Sequence, residues 1–167
     1  MISNEIRESL QKVCKALNNA AVDFMVIGGT AVGYYGYQRI SGSAQYINEI
    51  KTDLDFWYRP TTENFIALTS ALEMLGVPLD KLQSIVFDPE KTFLKIPHKN
   101  FQTDFLPVMV GLESYIECKQ NATKETIDGN EFYIISYRDL VKNKQALNRP
   151  IDKTDVAELT RRNSPKL

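Results

Sequence analysis

Lys51-Thr52-Asp53-Leu54-Asp55-Phe56-Trp57-Tyr58 is the stretch on which the fold turns. Its residues alternate. Leu54, Phe56 and Tyr58 point to one side and Asp53, Asp55 and Trp57 to the other, which predicts a strand over Thr52–Tyr58, ended by Pro60. Two carboxylates two residues apart on a strand leave the same face and stand a few ångströms from each other. Ionised acids that close repel, and a divalent cation removes the penalty by supplying countercharge. Hard oxygen ligands of this type suit Mg²⁺ or Mn²⁺. The plainer alternative is a solvated polar strand face. Asp is poor in strands, however, and the apolar residues around this pair make it an odd decoration.

Working outward, Phe24-Met25-Val26-Ile27 is a short apolar run that reads as a buried strand entering the turn Gly28-Gly29, with Thr30–Tyr35 a short helix behind it. Backbone N–H groups at such a turn make an anion site, and the Thr30 hydroxyl adds a donor. Most Gly-Gly pairs are ordinary turns. Downstream, Thr92–Ile96 and Phe101–Leu106 read as strands around the turn Pro97-His98-Lys99-Asn100. Asp104 sits inside the second of them, where a lone buried carboxylate is costly. If that strand lies beside the Asp53–Asp55 strand, three carboxylates converge. Otherwise Asp104 is an edge-strand residue in solvent.

The remaining chain alternates helices and hairpins. Ser3 or Asn4 caps a first helix with Ile6, Leu10, Val13, Cys14 and Leu17 at helical spacing, closed by Asn18-Asn19. Thr61 or Thr62 caps a helix bearing Phe65, Ile66, Leu68, Leu72 and Leu75, with Gly76 at its end. Leu112–Lys119 is a helical turn or two. Thr123–Ile127 and Glu131–Ile135 flank Asp128-Gly129, a hairpin signal. Ser136-Tyr137-Arg138-Asp139 reads as a capping box opening a helix to about Leu147. Pro150 breaks it, and a last helix runs from about Asp152 to Arg162, leaving Asn163–Leu167 frayed. Ser41–Ile50 has no period and reads as a loop. The expected architecture is α+β: one domain over residues 1–167, a mixed central sheet flanked by helices, with C-terminal helices over 136–162 packed on the core.

Composition sets the outer bounds. The 167 residues are 43% apolar and 25% charged, which is globular composition. With 20 basic against 21 acidic residues the net charge is -1, which disfavours a dedicated coat for long nucleic acid but leaves room for a nucleotide held by metal ions. Cys14 and Cys118 lack metal-ligand spacing, and Cys14 falls in the apolar stripe of the first helix as a buried free thiol. There is no secretory signal and no transmembrane run, so the cytoplasm is the default compartment.

Taken together, these residues resemble the nucleotidyltransferase superfamily that includes DNA polymerase β. Its pattern of a glycine turn, then Asp-hydrophobic-Asp, then a third acid between hydrophobic residues is found as Gly28-Gly29, Asp53-Leu54-Asp55 and Asp104-Phe105. The chain is most similar to small bacterial nucleotidyltransferase-like proteins, some from toxin–antitoxin and phage-defence operons. The likeness lies in Ile27-Gly28-Gly29-Thr30-Ala31-Val32, in Tyr35-Gly36 followed by Arg39, and in Thr52–Phe56. It continues in Ile135-Ser136-Tyr137-Arg138-Asp139-Leu140 with Lys144, then in Arg149-Pro150 with Asp152 and Asp155, so it spans Phe24 to Leu159. One departure concerns the 23 residues between Gly29 and Asp53, longer than the family usually has; without Ser41–Ile50, 13 would remain. That segment reads as an insertion near the site mouth, placed to order a substrate or to occlude the pocket.

The resemblance implies transfer of a nucleotidyl group from an NTP to a hydroxyl with release of pyrophosphate. Asp53, Asp55 and Asp104 are then the catalytic and metal-binding carboxylates for two Mg²⁺ (or Mn²⁺) ions, with Asp104 also a proton acceptor. Gly28, Gly29 and Thr30 hold the β- and γ-phosphates, and Arg39, Lys144 and Arg149 are further nucleotide contacts. For Lys144 the alternative is a solvated helix end; for Arg149 it is a pair with Asp152. Tyr34, Tyr35 and Tyr37 fit packing of the short helix better than base stacking, and His98 in its turn gets no role. The acceptor is open: an aminoglycoside, an RNA 3′ end or a side chain of a partner protein. The competing class is an inactive nucleotidyltransferase-like binding module, one half of a toxin–antitoxin pair with a small helical partner protein. No membrane partner is expected.

Overall fold

Leu10, Val13, Cys14 and Leu17 recur at helical spacing and form the buried stripe of α1 (Asn4–Asn19). In the computed structural model, which describes residues 4–36 and 52–163, that helix covers one face of a mixed six-stranded sheet. The strands are β1 (Phe24–Val26), β2 (Thr52–Tyr58), β3 (Leu94–Pro97), β4 (Phe101–Leu106), β5 (Thr123–Ile127) and β6 (Asn130–Ile134), in the order β3-β4-β2-β1-β6-β5. β2 runs parallel to β4 and β1 parallel to β6, while the other neighbours are antiparallel. The expected α+β architecture with a mixed sheet between helices is the one observed. Arg39, Tyr37 and the Ser41–Ile50 loop lie outside the described residues.

The alternation of β2 sorts its residues as the sequence dictates. Leu54, Phe56 and Tyr58 are fully buried on the side of α1 and α3 (Thr62–Met74), where Phe56 stacks on Phe105 at 5.1 Å and Tyr58 meets Phe65 of α3. Thr61 caps α3 by accepting the Asn64 N–H. Asn64 then closes the other end of β1, accepting from Asp23 N at 2.7 Å and donating to the Asp23 and Arg59 carbonyls. The opposite face carries the acids. At its far end Trp57 is buried beneath Tyr115 of α5 (Tyr115–Asn121) and donates to the Pro107 carbonyl at 2.9 Å.

Several boundaries differ from the expectation, each for a local reason. The helix after β1, α2 (Gly28–Tyr34), begins at the two glycines, so both lie in its first turn. A short α4 (Leu79–Gln83) follows Pro78, a single turn too brief to show a period. Pro150 does not merely break a helix. The preceding helix α6 (Tyr137–Leu147) ends at Asn148, left-handed at φ 52°, and Pro150 is the first residue of α7 (Pro150–Asn163), a position where its missing N–H costs nothing. At the start of α6 only half of the expected capping box forms: Ser136 accepts the Asp139 N–H, and Asp139 does not reciprocate. The complete capping box is at Ser114 and Glu117 of α5. His98 is half-buried, its Nε2 3.0 Å from Thr103 Oγ1 and its ring stacked on Phe101. Leu140 of α6 and Leu159 of α7 are fully buried in the core.

Candidate active site

Parallel pairing of β2 with β4 sets Asp55 directly beside Asp104, and Asp53 beside Gln102. Cross-strand partners leave the same face, so all three acids face one side of the sheet. They share a cleft of about 330 Å³ with Gly28, Gly29, Lys144 and Arg149. An apolar wall completes it, including Phe93, Val108 and Val110. Among the described residues the three carboxylates do not each place an oxygen within 4.8 Å of both others; Asp53 stands one pleat away from the Asp55–Asp104 pair. A larger cavity of about 870 Å³, lined by Lys12, Lys81, Lys95, His98 and Lys99, lacks such a cluster of acids, and size alone gives it no chemistry.

Gly28 and Asp55 are built around each other. Gly28 has φ +59°, and a Cβ there would fall 2.2 Å from Asp55 Oδ2. The Gly29 N–H donates to that same oxygen at 3.0 Å, and the Ile27 N–H donates to the Asp55 carbonyl at 2.9 Å. Thr30 is buried, its hydroxyl 3.5 Å from the Asp53 carbonyl, so it ties α2 to β2 rather than facing the cleft. Replacing Gly28 by Ala is therefore expected to cost roughly 2–4 kcal/mol, from left-handed strain plus the clash with Asp55. Urea unfolding measures this, and a change within 0.5 kcal/mol would contradict the close approach.

Burial pushes the Asp55 carboxyl up to about 6; the neighbouring Asp104 and Asp53 carboxylates add to the rise, and the Gly29 N–H and Lys144 oppose it. Asp104, half-buried, is also raised by burial and by Asp53, against the pull of Lys95 across β3 and a 3.1 Å bond from Gln102. Burial is the main cause at both groups, and the neighbouring acids add a deficit of positive charge to it.

The nearby cations do not fill that deficit, because they are already engaged. Lys144 is buried, and its Nζ lies 3.2 Å from Asp152 Oδ1 and 3.1 Å from Asp155 Oδ2, both on α7 and fully buried. Arg149 grips Asp152 through Nε at 2.6 Å and Nη2 at 3.1 Å while its side chain stays 58% exposed. Burial alone would raise Asp152, but the bonds from Arg149 and Lys144 outweigh it and hold the carboxyl below its ordinary value. Two cations and two anions cancel, leaving the three cleft carboxylates only partly offset, by Lys95 at Asp104 and by the Gly29 N–H and the charge of Lys144 at Asp55.

The structure thus brings Gly28, Gly29, Asp53, Asp55, Asp104, Lys144 and Arg149 to one cleft, leaves Thr30 behind it, and does not describe Arg39. It also adds lining residues the sequence reading lacks: Phe93, Val108, Met109, Val110 and Asn143. Tyr34 bonds Glu125, and Tyr35 donates to the Ile135 carbonyl at 2.8 Å, so both pack the short helix.

No protein-family model matches the sequence, and no curated protein does. Among solved structures, the solution structure of the antibiotic-resistance factor ANT(2'')-Ia, a nucleotidyltransferase, is similar over 96% of this chain and 83% of its own, with a TM-score of 0.54 and 14% identity. Likeness at that identity speaks to architecture. A mixed six-stranded sheet flanked by helices, matched over nearly its whole length, gives the chain the nucleotidyltransferase fold.

Proposed function

We propose that the chain transfers a nucleoside monophosphate from an NTP to a hydroxyl acceptor in the cleft of Asp53, Asp55 and Asp104. The observation that carries this is the convergence of three carboxylates in one cleft, Asp55 and Asp104 among them raised by burial and by their acidic neighbours, beside a turn where Gly28 leaves no room for a side chain. Three hard oxygen donors only partly balanced by cations fit Mg²⁺ or Mn²⁺, which Asp53, Asp55 and Asp104 would hold. When bound, the ions supply charge neutralisation for the triphosphate and acidify the attacking hydroxyl.

The chain's own groups supply the rest. Gly28 and Gly29 let the backbone close on Asp55, and the turn they form would face the triphosphate. Arg149, exposed on one side and braced by Asp152, would meet the outgoing pyrophosphate. Lys144 holds α6 to α7 at the wall of the cleft. The acceptor oxygen would form its bond to the α-phosphorus as the bond to the β-phosphate oxygen breaks, and the hydroxyl proton would pass to Asp104, the half-buried carboxylate on the neighbouring strand. Most of the acceleration is positioning and charge balance.

The test is incubation with labelled NTPs and Mg²⁺ against cell RNA, cell protein and aminoglycosides in three arms. Label is expected in one arm with wild-type protein and in none with Asp53→Ala. Mg²⁺ plus NTP should also raise the melting temperature of the wild type but not of that variant. Absence of both effects at millimolar metal and nucleotide would sink the reading. The narrower context, one half of a toxin–antitoxin pair, rests on the sequence resemblance, and co-purification of a small helical protein encoded next door is its check.

A further inference from the structure

A second group of potential ligands lies at the start of α6, one turn before Asn143 and Lys144. Glu113, Cys118 and Asp139 each place one ligand atom within 4.8 Å of the other two, the one such group among the described residues. Asp139 is 6% exposed, and its Oδ2 has no hydrogen-bond partner. It sits where a capping-box acid would turn back to Ser136, yet makes no such bond. Cys118 is 1% exposed, and its Sγ makes only a 3.9 Å contact with the Glu113 carbonyl. A buried carboxylate oxygen without a donor is unfavourable and rare, and it asks for a water, a proton or a cation.

We propose that Glu113, Cys118 and Asp139 form a structural site for one Zn²⁺ ion, separate from the carboxylate cleft. A thiolate beside two carboxylates selects a borderline cation; Mg²⁺ refuses sulfur. The donor set carries three negative charges. Zn²⁺ cancels two, and Lys142, already 2.7 Å from Glu113 Oε1, balances the third. Cys118 binds as thiolate and releases its proton to solvent. Three protein ligands leave a fourth position for water on the side of Glu113, the exposed member of the three. The ion would fasten α5 and the segment before it to α6. That segment includes Val110, whose carbonyl accepts from Asn143 Nδ2 at 2.8 Å, so the apolar wall of the cleft is held from behind.

The test titrates chelator-stripped, reduced full-length protein with ZnCl₂ and CoCl₂. One equivalent of Co²⁺ should give a thiolate-to-metal absorption band in the near ultraviolet. Zn²⁺ at 100 times its Kd should raise the melting temperature by roughly 5–10 °C. Cys118→Ser should abolish both signals. Glu113→Gln, at an exposed position, should weaken affinity at least tenfold. Asp53→Ala should leave both signals intact, so this result is independent of the transfer reaction. Cobalt binding without the thiolate band, a Zn²⁺ shift unchanged in Cys118→Ser and Glu113→Gln, or no binding at all would overturn the site.

Discussion

Lys144→Met is expected to lower the melting temperature by roughly 6–20 °C, the largest effect on stability of any substitution considered for this protein. The ammonium is 3% exposed and stands between two carboxylates that are 0% exposed. Removing one member of a buried ion group costs about 3–5 kcal/mol, because the remaining charges lose their countercharge where water cannot replace it. Asp152 keeps Arg149; Asp155 loses the ammonium at 3.1 Å. Adding Asp155→Asn to Lys144→Met should therefore recover part of the loss, whereas Asp155→Asn alone should destabilise. A drop below 2 °C for the single variant, by calorimetry at neutral pH, would show that the triad does not hold α6 to α7.

That triad marks how far the sequence could be read. The alternation in Thr52–Tyr58 gave the strand and its two faces without help, because a period of two leaves no freedom in which side chains share a face. The hairpin at Asp128-Gly129 was legible for the same kind of local reason, and both residues are left-handed as such a turn requires. The meeting of Asp104 with Asp55 was not local. It depends on β4 lying parallel to β2, and the spacing of the two segments admits other neighbours. Lys144 was read as a nucleotide contact or a solvated helix end. Its burial against Asp155 follows from the packing of α6 on α7, which neither helix encodes alone. The wall of Val108, Met109 and Val110 stayed hidden since irregular segments carry no period, although three apolar residues after Pro107 were a trace of it. Asp139 was assigned to a cap that the structure leaves half-made.

Asp55→Asn should stabilise the metal-free protein while removing transfer activity, a pairing of effects that a merely structural aspartate would not give. Asn keeps an oxygen to accept the Gly29 N–H at 3.0 Å and keeps nearly the same volume. It deletes a charge that burial and two neighbouring carboxylates disfavour. The sign follows from the two protonation states. Asp55 rises from an ordinary 3.8 to about 6 on folding, so the wild type carries no penalty below the lower value and loses stability as pH climbs to the upper one. The advantage of Asn should thus be nil near pH 3.5, grow to about pH 6, and level off above it at roughly 1–3 kcal/mol. Melting curves across that range measure it. Turnover in the proposed reaction should fall on the order of 10³-fold, as several kcal/mol of charge stabilisation in the transition state would disappear with a ligand of the ions. Equal destabilisation at every pH, or activity retained within tenfold, would mean that Asp55 is held in the cleft for packing and not for a cation.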